Sequence, residues 1–132
     1  MNPTTEATVA AGVQAAIAAY AQALDAGRTE DVVALFCPDG VAEIAGQGCF
    51  EGRDAIRKAY GGFEPKRPQL HLVSNTLVTS WTDSEATATS NLAFFQRGEA
   101  GWAIQLAGRY DDTLHRDDDV WRFHRRVTTL FA

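Results

Sequence analysis

The sequence predicts an α+β fold in which N-terminal helices cover a curved antiparallel sheet. Three observations carry this reading. Apolar residues near the N-terminus recur at helical spacing, the period changes to two from Leu70 onward, and short polar turns divide the later half into strand-length pieces. Helices segregated from an antiparallel meander form the α+β arrangement. The 132 residues suit one domain, 1–132, large enough to bury a core without staples.

In the first helix Val9, Val13, Ile17, Tyr20 and Leu24 step by four, four, three and four, which is one helical face, and alanine fills the gaps. Gly27 is placed to end it. Thr29 is placed to cap a short second helix with Glu30 and Asp31 in its first turn and Val32, Leu35 and Phe36 inward. Pro38-Asp39-Gly40 is expected to stop that helix and turn the chain. "VAEIAG" and "GCFEG" read as two short strands joined through Gly46-Gln47-Gly48. "RDAIRKAYGGF" gives a third helix with Ile56, Ala59, Tyr60 and Phe63 on one face, and the prolines at 65 and 68 break the loop after it. Four strands follow at about 70–81, 86–97, 102–115 and 120–130, joined by tight turns as a meander. A strongly curved sheet closed by helices leaves a conical cavity.

Composition narrows the partners. Hydrophobic residues make up 45% and charged residues 22%, as in an ordinary soluble protein. A net charge of −5 argues against a nucleic-acid partner, whose binding domain is usually basic. No apolar run reads as a membrane span, and the N-terminus carries Glu6 and no basic segment, so neither membrane nor export is expected and the location is cytoplasmic. Cys37 and Cys49 lack metal-ligand spacing and are expected as reduced thiols.

The stretch "QLHLVSNTLV", residues 69–78, carries the chemistry. Alternation puts His71, Val73, Asn75 and Leu77 on one strand face, toward either solvent or the cavity. Imidazole titrates close to neutrality and can accept a proton, and a carboxylate on its other nitrogen fixes the tautomer. Asp25, at the end of the first helix, is within reach of that role. Asn91, Phe94, Phe95, Trp102 and Leu106 are candidates for the cavity lining. Strict alternation groups Trp121, Phe123 and Arg125 on one face of the last strand, and Arg122, His124 and Arg126 on the other, unless a bulge intervenes. His115 and His124 lie near charged turns and read as solvated.

Four stretches, "AYAQALDAGRTEDVVALFCPDG", "FEGRDAIRKAY", "HLVSN" and "GRYDDTLHRDDDVWRFHRR", together resemble the SnoaL-like branch of the NTF2-like superfamily. The resemblance implies the NTF2-like cone and is similar in pattern to hexachlorocyclohexane dehydrochlorinase, scytalone dehydratase and bile-acid dehydratases. It implies elimination from a hydrophobic small molecule by a histidine oriented by an aspartate, with no metal or organic cofactor. Transferred residue by residue, it assigns the aspartate to Asp25, the histidine to His71, the asparagine of the same strand to Asn75, the first-helix pocket residue to Tyr20, the pocket arginine to Arg126 and a cavity aromatic to Tyr110. Tyr20 stands where the dehydrochlorinase has lysine, which favours dehydratase chemistry over loss of halide. The catalytic set is therefore His71, Asp25, Tyr20 and Arg126, with Asn75, Tyr110 and Asn91 as substrate contacts. The resemblance also implies a homodimer or homotrimer formed through the exposed side of the sheet, to which tryptophans 81, 102 and 121 are candidate contributors. A polyketide-cyclase-like enzyme and a non-catalytic binding or assembly module remain alternative readings.

Overall fold

The computed structural model describes residues 3–131. Helix α1 (Glu6–Asp25) is followed by α2 (Thr29–Ala34), strands β1 (Phe36–Ile44) and β2 (Gly48–Glu51), helix α3 (Gly52–Gly61), and strands β3 (Gln69–Trp81), β4 (Glu85–Gly98), β5 (Gly101–Asp117) and β6 (Val120–Leu130). The six strands form one sheet in the order β2-β1-β6-β5-β4-β3. The four long strands are the expected antiparallel meander, but β1 joins β6 in parallel, so the sheet is mixed.

Thr5 opens α1 through a capping box with Thr8. At the other end Gly27 adopts φ 73°, the Gly27 N–H donates to the Leu24 carbonyl, and the Arg28 N–H donates to the Ala23 carbonyl, a Schellman closure. The stripe Val9, Val13, Ile17, Tyr20 and Leu24 is buried as its spacing implies. By length and composition α1 would also serve as a membrane span, because its many alanines count as apolar; here its stripe forms the core under the sheet.

Several expectations are corrected. Thr29 is the first residue of α2, and its capping position is Arg28, which makes no side-chain cap. Pro38-Asp39-Gly40 does not separate helix from strand but lies inside β1, at a register break between Phe36 and Val41. Proline has no N–H for a ladder, so the break falls there. A Cβ on Gly40 would lie 2.9 Å from the Cys37 carbonyl oxygen and 3.0 Å from that of Phe123, which requires glycine. Trp121 is buried, not a surface residue; its indole occupies the space where a Cβ on Gly12 would project.

Bulges curve the sheet and reset its faces. In β3 the register shifts between Ser74 and Leu77, where Asn75 has φ 56°. Thr76 thereby takes the inward position and bonds to buried Ser90, while Asn75 turns outward. In β6 the register shifts across His124, so Arg126 joins Trp121 and Phe123 on the buried face and Arg125 lies outside. Strict alternation assigns these two arginines the other way round. His115 and His124 stack outside, with ring centroids 4.1 Å apart, and face Glu85 and Asp39.

Candidate active site

α1, α3 and the inner face of the sheet enclose a cavity of about 460 Å³. That is within the usual range of small-molecule sites, roughly 300–1,000 Å³. Leu24, Phe63, Leu92, Phe94 and Leu106 give it an apolar body, and Tyr20, Tyr60, Tyr110 and His71 add polar atoms. Gln69, Lys66 and Arg67, on the approach to and start of β3, also line it.

Asp25 closes α1 directly beside β3, an edge strand with one unpaired row of backbone groups. Its carboxylate covers that edge. One oxygen accepts the His71 backbone N–H at 2.8 Å; the other lies 2.6 Å from His71 Nδ1 and accepts from Gln69 Nε2 at 3.1 Å. Burial works to raise the Asp25 carboxyl, yet hydrogen bonds from the His71 ring and backbone and from Gln69 prevail and hold it below the ordinary carboxylate value. An ionised carboxylate only accepts, so the shared proton belongs to Nδ1, and in the neutral ring the lone pair is then on Nε2. His71 lines the cavity with its ring against Phe94, centroids 4.5 Å apart, and Asp25 stands behind it.

The buried face of β6 brings Arg126 beneath the tyrosines. Its guanidinium carbon is 3.4 Å from the Tyr110 ring centroid and 4.2 Å from that of Tyr20. Its Nε lies 3.1 Å from Asp112, and both side chains are sealed from solvent at 1% and 0% exposure. Neither partner is aligned for a hydrogen bond, and their polar atoms have no such partner among the described residues. Burial pushes the Asp112 carboxyl up to about 6, against the pull of Arg126. Burial likewise raises the hydroxyls of Tyr20, Tyr60 and Tyr110.

Of the residues expected at the site, the fold brings His71, Tyr20 and Tyr110 to the cavity wall, with Asp25 in contact behind His71. Arg126 is inward but lies below the wall, touching ring faces. Asn75 and Asn91 are not at the cavity. They bond to one another at 3.0 Å on the opposite face, because the Asn75 bulge turns one outward and Asn91 alternates with buried Ser90 and Leu92. Phe94 and Leu106 line the cavity, whereas Phe95 and Trp102 do not. Sequence reasoning missed Tyr60, Gln69 and Asp112 as site residues. Tyr60 lies four residues after buried Ile56, and Asp112 two after Tyr110, so periodicity carried a signal for both. Among the described residues no cluster of His, Cys, Asp and Glu has the makings of a metal site.

The model of the SnoaL-like domain matches residues 5–127. The chain belongs to the SnoaL-like family. Solved structures agree on the NTF2-like fold of this SnoaL-like chain. A Mycobacterium tuberculosis protein of unknown function is 26% identical with a TM-score of 0.88, covering 99% of this chain and 77% of its own. A Novosphingobium aromaticivorans protein named as a candidate scytalone dehydratase is 27% identical with a TM-score of 0.84, covering 97% and 89%. LinA, at 18% identity and a TM-score of 0.81 over 96% and 88%, shares the fold. No curated protein matches this SnoaL-like chain by sequence.

Proposed function

We propose that this protein is a cofactor-independent lyase or isomerase that acts on a hydrophobic small molecule, with His71 as general base. One observation carries the reading: an imidazole that lines an apolar cavity is held at 2.6 Å by a carboxylate on its far nitrogen. His71 Nε2 removes a proton from an activated carbon; Asp25 holds the ring and stabilises the imidazolium that forms. The electron pair left on carbon forms a double bond as a leaving group departs with its own bonding pair, or returns to a proton at a neighbouring carbon. The tyrosine hydroxyls on the same wall, Tyr20 bonded to Tyr60, form the proton or hydrogen-bond donor group, and Arg126 acts through the aromatic rings it touches. The likeness to the candidate scytalone dehydratase favours loss of water. A filled cavity, or a His71 bonded only to backbone, would instead support a binding module. The test is turnover of a panel of hydrophobic β-hydroxy carbonyl compounds, read as loss of water by mass spectrometry. His71→Ala is expected to lower it at least a hundredfold in a folded protein, and unchanged turnover would remove the base assignment.

The outer face of the sheet supports self-association. Leu70, Phe95 and Ile104 form one cross-strand row, Leu72, Ala93 and Ala107 a second, and Trp102 lies beside Arg97. Leu70, Leu72, Trp102 and Ile104 are exposed. An apolar face of this kind is complementary to a copy of itself, which favours a homodimer or homotrimer.

A further inference from the structure

We infer that Tyr60, on α3, is the hydroxyl that donates to the substrate's oxygen in this cavity, and that Tyr20 is the residue that positions it and holds its phenolate. The inference rests on the functional reading above and deepens it by naming the acid partner of His71. The Tyr20 and Tyr60 oxygens are 2.5 Å apart, and both residues line the cavity. Two phenols bring two protons. One is shared between the oxygens, so one O–H remains to be satisfied, in a site where both residues are 3% exposed. A buried donor of that kind calls for an acceptor, and a ligand oxygen in the cavity supplies it.

The surroundings decide which proton is shared. Tyr20 is ringed by Phe36, Tyr60, Tyr110 and Phe123, and the Arg126 guanidinium lies over its ring. A cation at the ring face makes the Tyr20 O–H the stronger donor, so it gives its proton to the Tyr60 oxygen. Tyr60 packs against Phe63, itself part of the lining, and its own proton is left for the ligand. In an elimination of water, His71 takes the C–H proton and the C=C bond forms. The departing oxygen leaves with the C–O electron pair and takes the Tyr60 proton. The Tyr60 phenolate is held by Tyr20 until solvent exchange returns a proton to it and removes one from His71. The ligand group is therefore an oxygen, hydroxyl or carbonyl, in place of a halide.

The test uses two probes of like shape, 4-nitrophenol and 4-nitroanisole, bound to the full-length protein near neutral pH. 4-Nitrophenolate offers an anionic oxygen and changes its absorption spectrum on losing its proton; the methyl ether cannot. Wild type is expected to bind the nitrophenol as the anion. Tyr60→Phe should weaken that binding at least tenfold, about 1.4 kcal/mol, and return the spectrum toward the neutral form. Nitroanisole affinity should stay within about twofold, because the ring remains. Tyr20→Phe should weaken nitrophenolate less, since it acts only through Tyr60. The assignment is overturned if Tyr60→Phe weakens both probes alike, if it weakens neither, or if Tyr20→Phe has the larger effect. If wild type binds neither probe, the cavity reading behind the proposed function falls with it.

Discussion

Arg126→Met should become more damaging as pH rises, whereas Asp112→Asn should not. The two charges sit 3.1 Å apart at 1% and 0% exposure, so neither has water to fall back on. Removing one member of a buried pair typically costs about 3–5 kcal/mol, against a total stability of roughly 5–15 kcal/mol for a domain. The partners differ in what they can do alone. Arginine cannot shed its proton, so Asp112→Asn leaves a fixed buried charge, eased only by the rings of Tyr20, Tyr110 and Phe123. An abandoned Asp112 can take up a proton. Its carboxyl already lies at about 6 in the fold, above the ordinary 3.8, so below about 6 it is neutral with or without Arg126. A group raised in the fold binds its proton there when the unfolded chain has lost it, so stability falls as pH rises through the gap. Without Arg126 the gap extends upward, and each further pH unit adds about 1.4 kcal/mol, or about 3 kcal/mol between pH 6 and pH 8. Urea unfolding at both pH values measures this, together with the Arg126→Met, Asp112→Leu double variant. The double variant should cost less than the sum of the single changes by about 2 kcal/mol or more. An Arg126→Met penalty equal at both pH values, or additivity within about 0.5 kcal/mol, would refute the picture of a dry, coupled pair.

Other outcomes follow from the same geometry. Asp25→Asn should lower turnover by orders of magnitude by releasing the His71 tautomer. Because the Asp25 carboxyl is held low in the fold, its contribution to stability is present above about 3.8 and is lost as pH falls through its folded value; the stability gap between wild type and Asp25→Asn should therefore narrow on acidification, as acid titrations would show. Gly12→Ala gains about 1 kcal/mol of helix propensity but drives a Cβ to 2.3 Å from the buried Trp121 indole, an overpacking of about 1–3 kcal/mol. A lower melting temperature is expected, and a raised one would show that the indole yields freely. Ile104→Glu, in the middle of the exposed apolar rows, should shift sedimentation toward the monomer without changing the circular-dichroism spectrum; an unchanged sedimentation profile would discard this face as the interface.

Periodicity alone determined most of the architecture. The α1 stripe, the change of period at Leu70 and the four long strands are local consequences of which side of each element is apolar, and they coincide with the fold to within about two residues. His71 and Asp25 were legible because each lies at a recognisable place, one on a strand and one at a helix end, in stretches that resemble the SnoaL-like family. Only the tertiary structure decided which side chains share a space. A single inserted residue at Asn75 removes that asparagine from its expected face, and another at His124 brings Arg126 inward beside Trp121. A bulge is set by cross-strand register, which no stretch of sequence contains by itself. The same holds for Tyr20 and Tyr60, 40 residues apart, and for the Arg126–Asp112 pair: their meeting depends on how α1, α3 and the sheet pack together, and packing is a property of the whole chain.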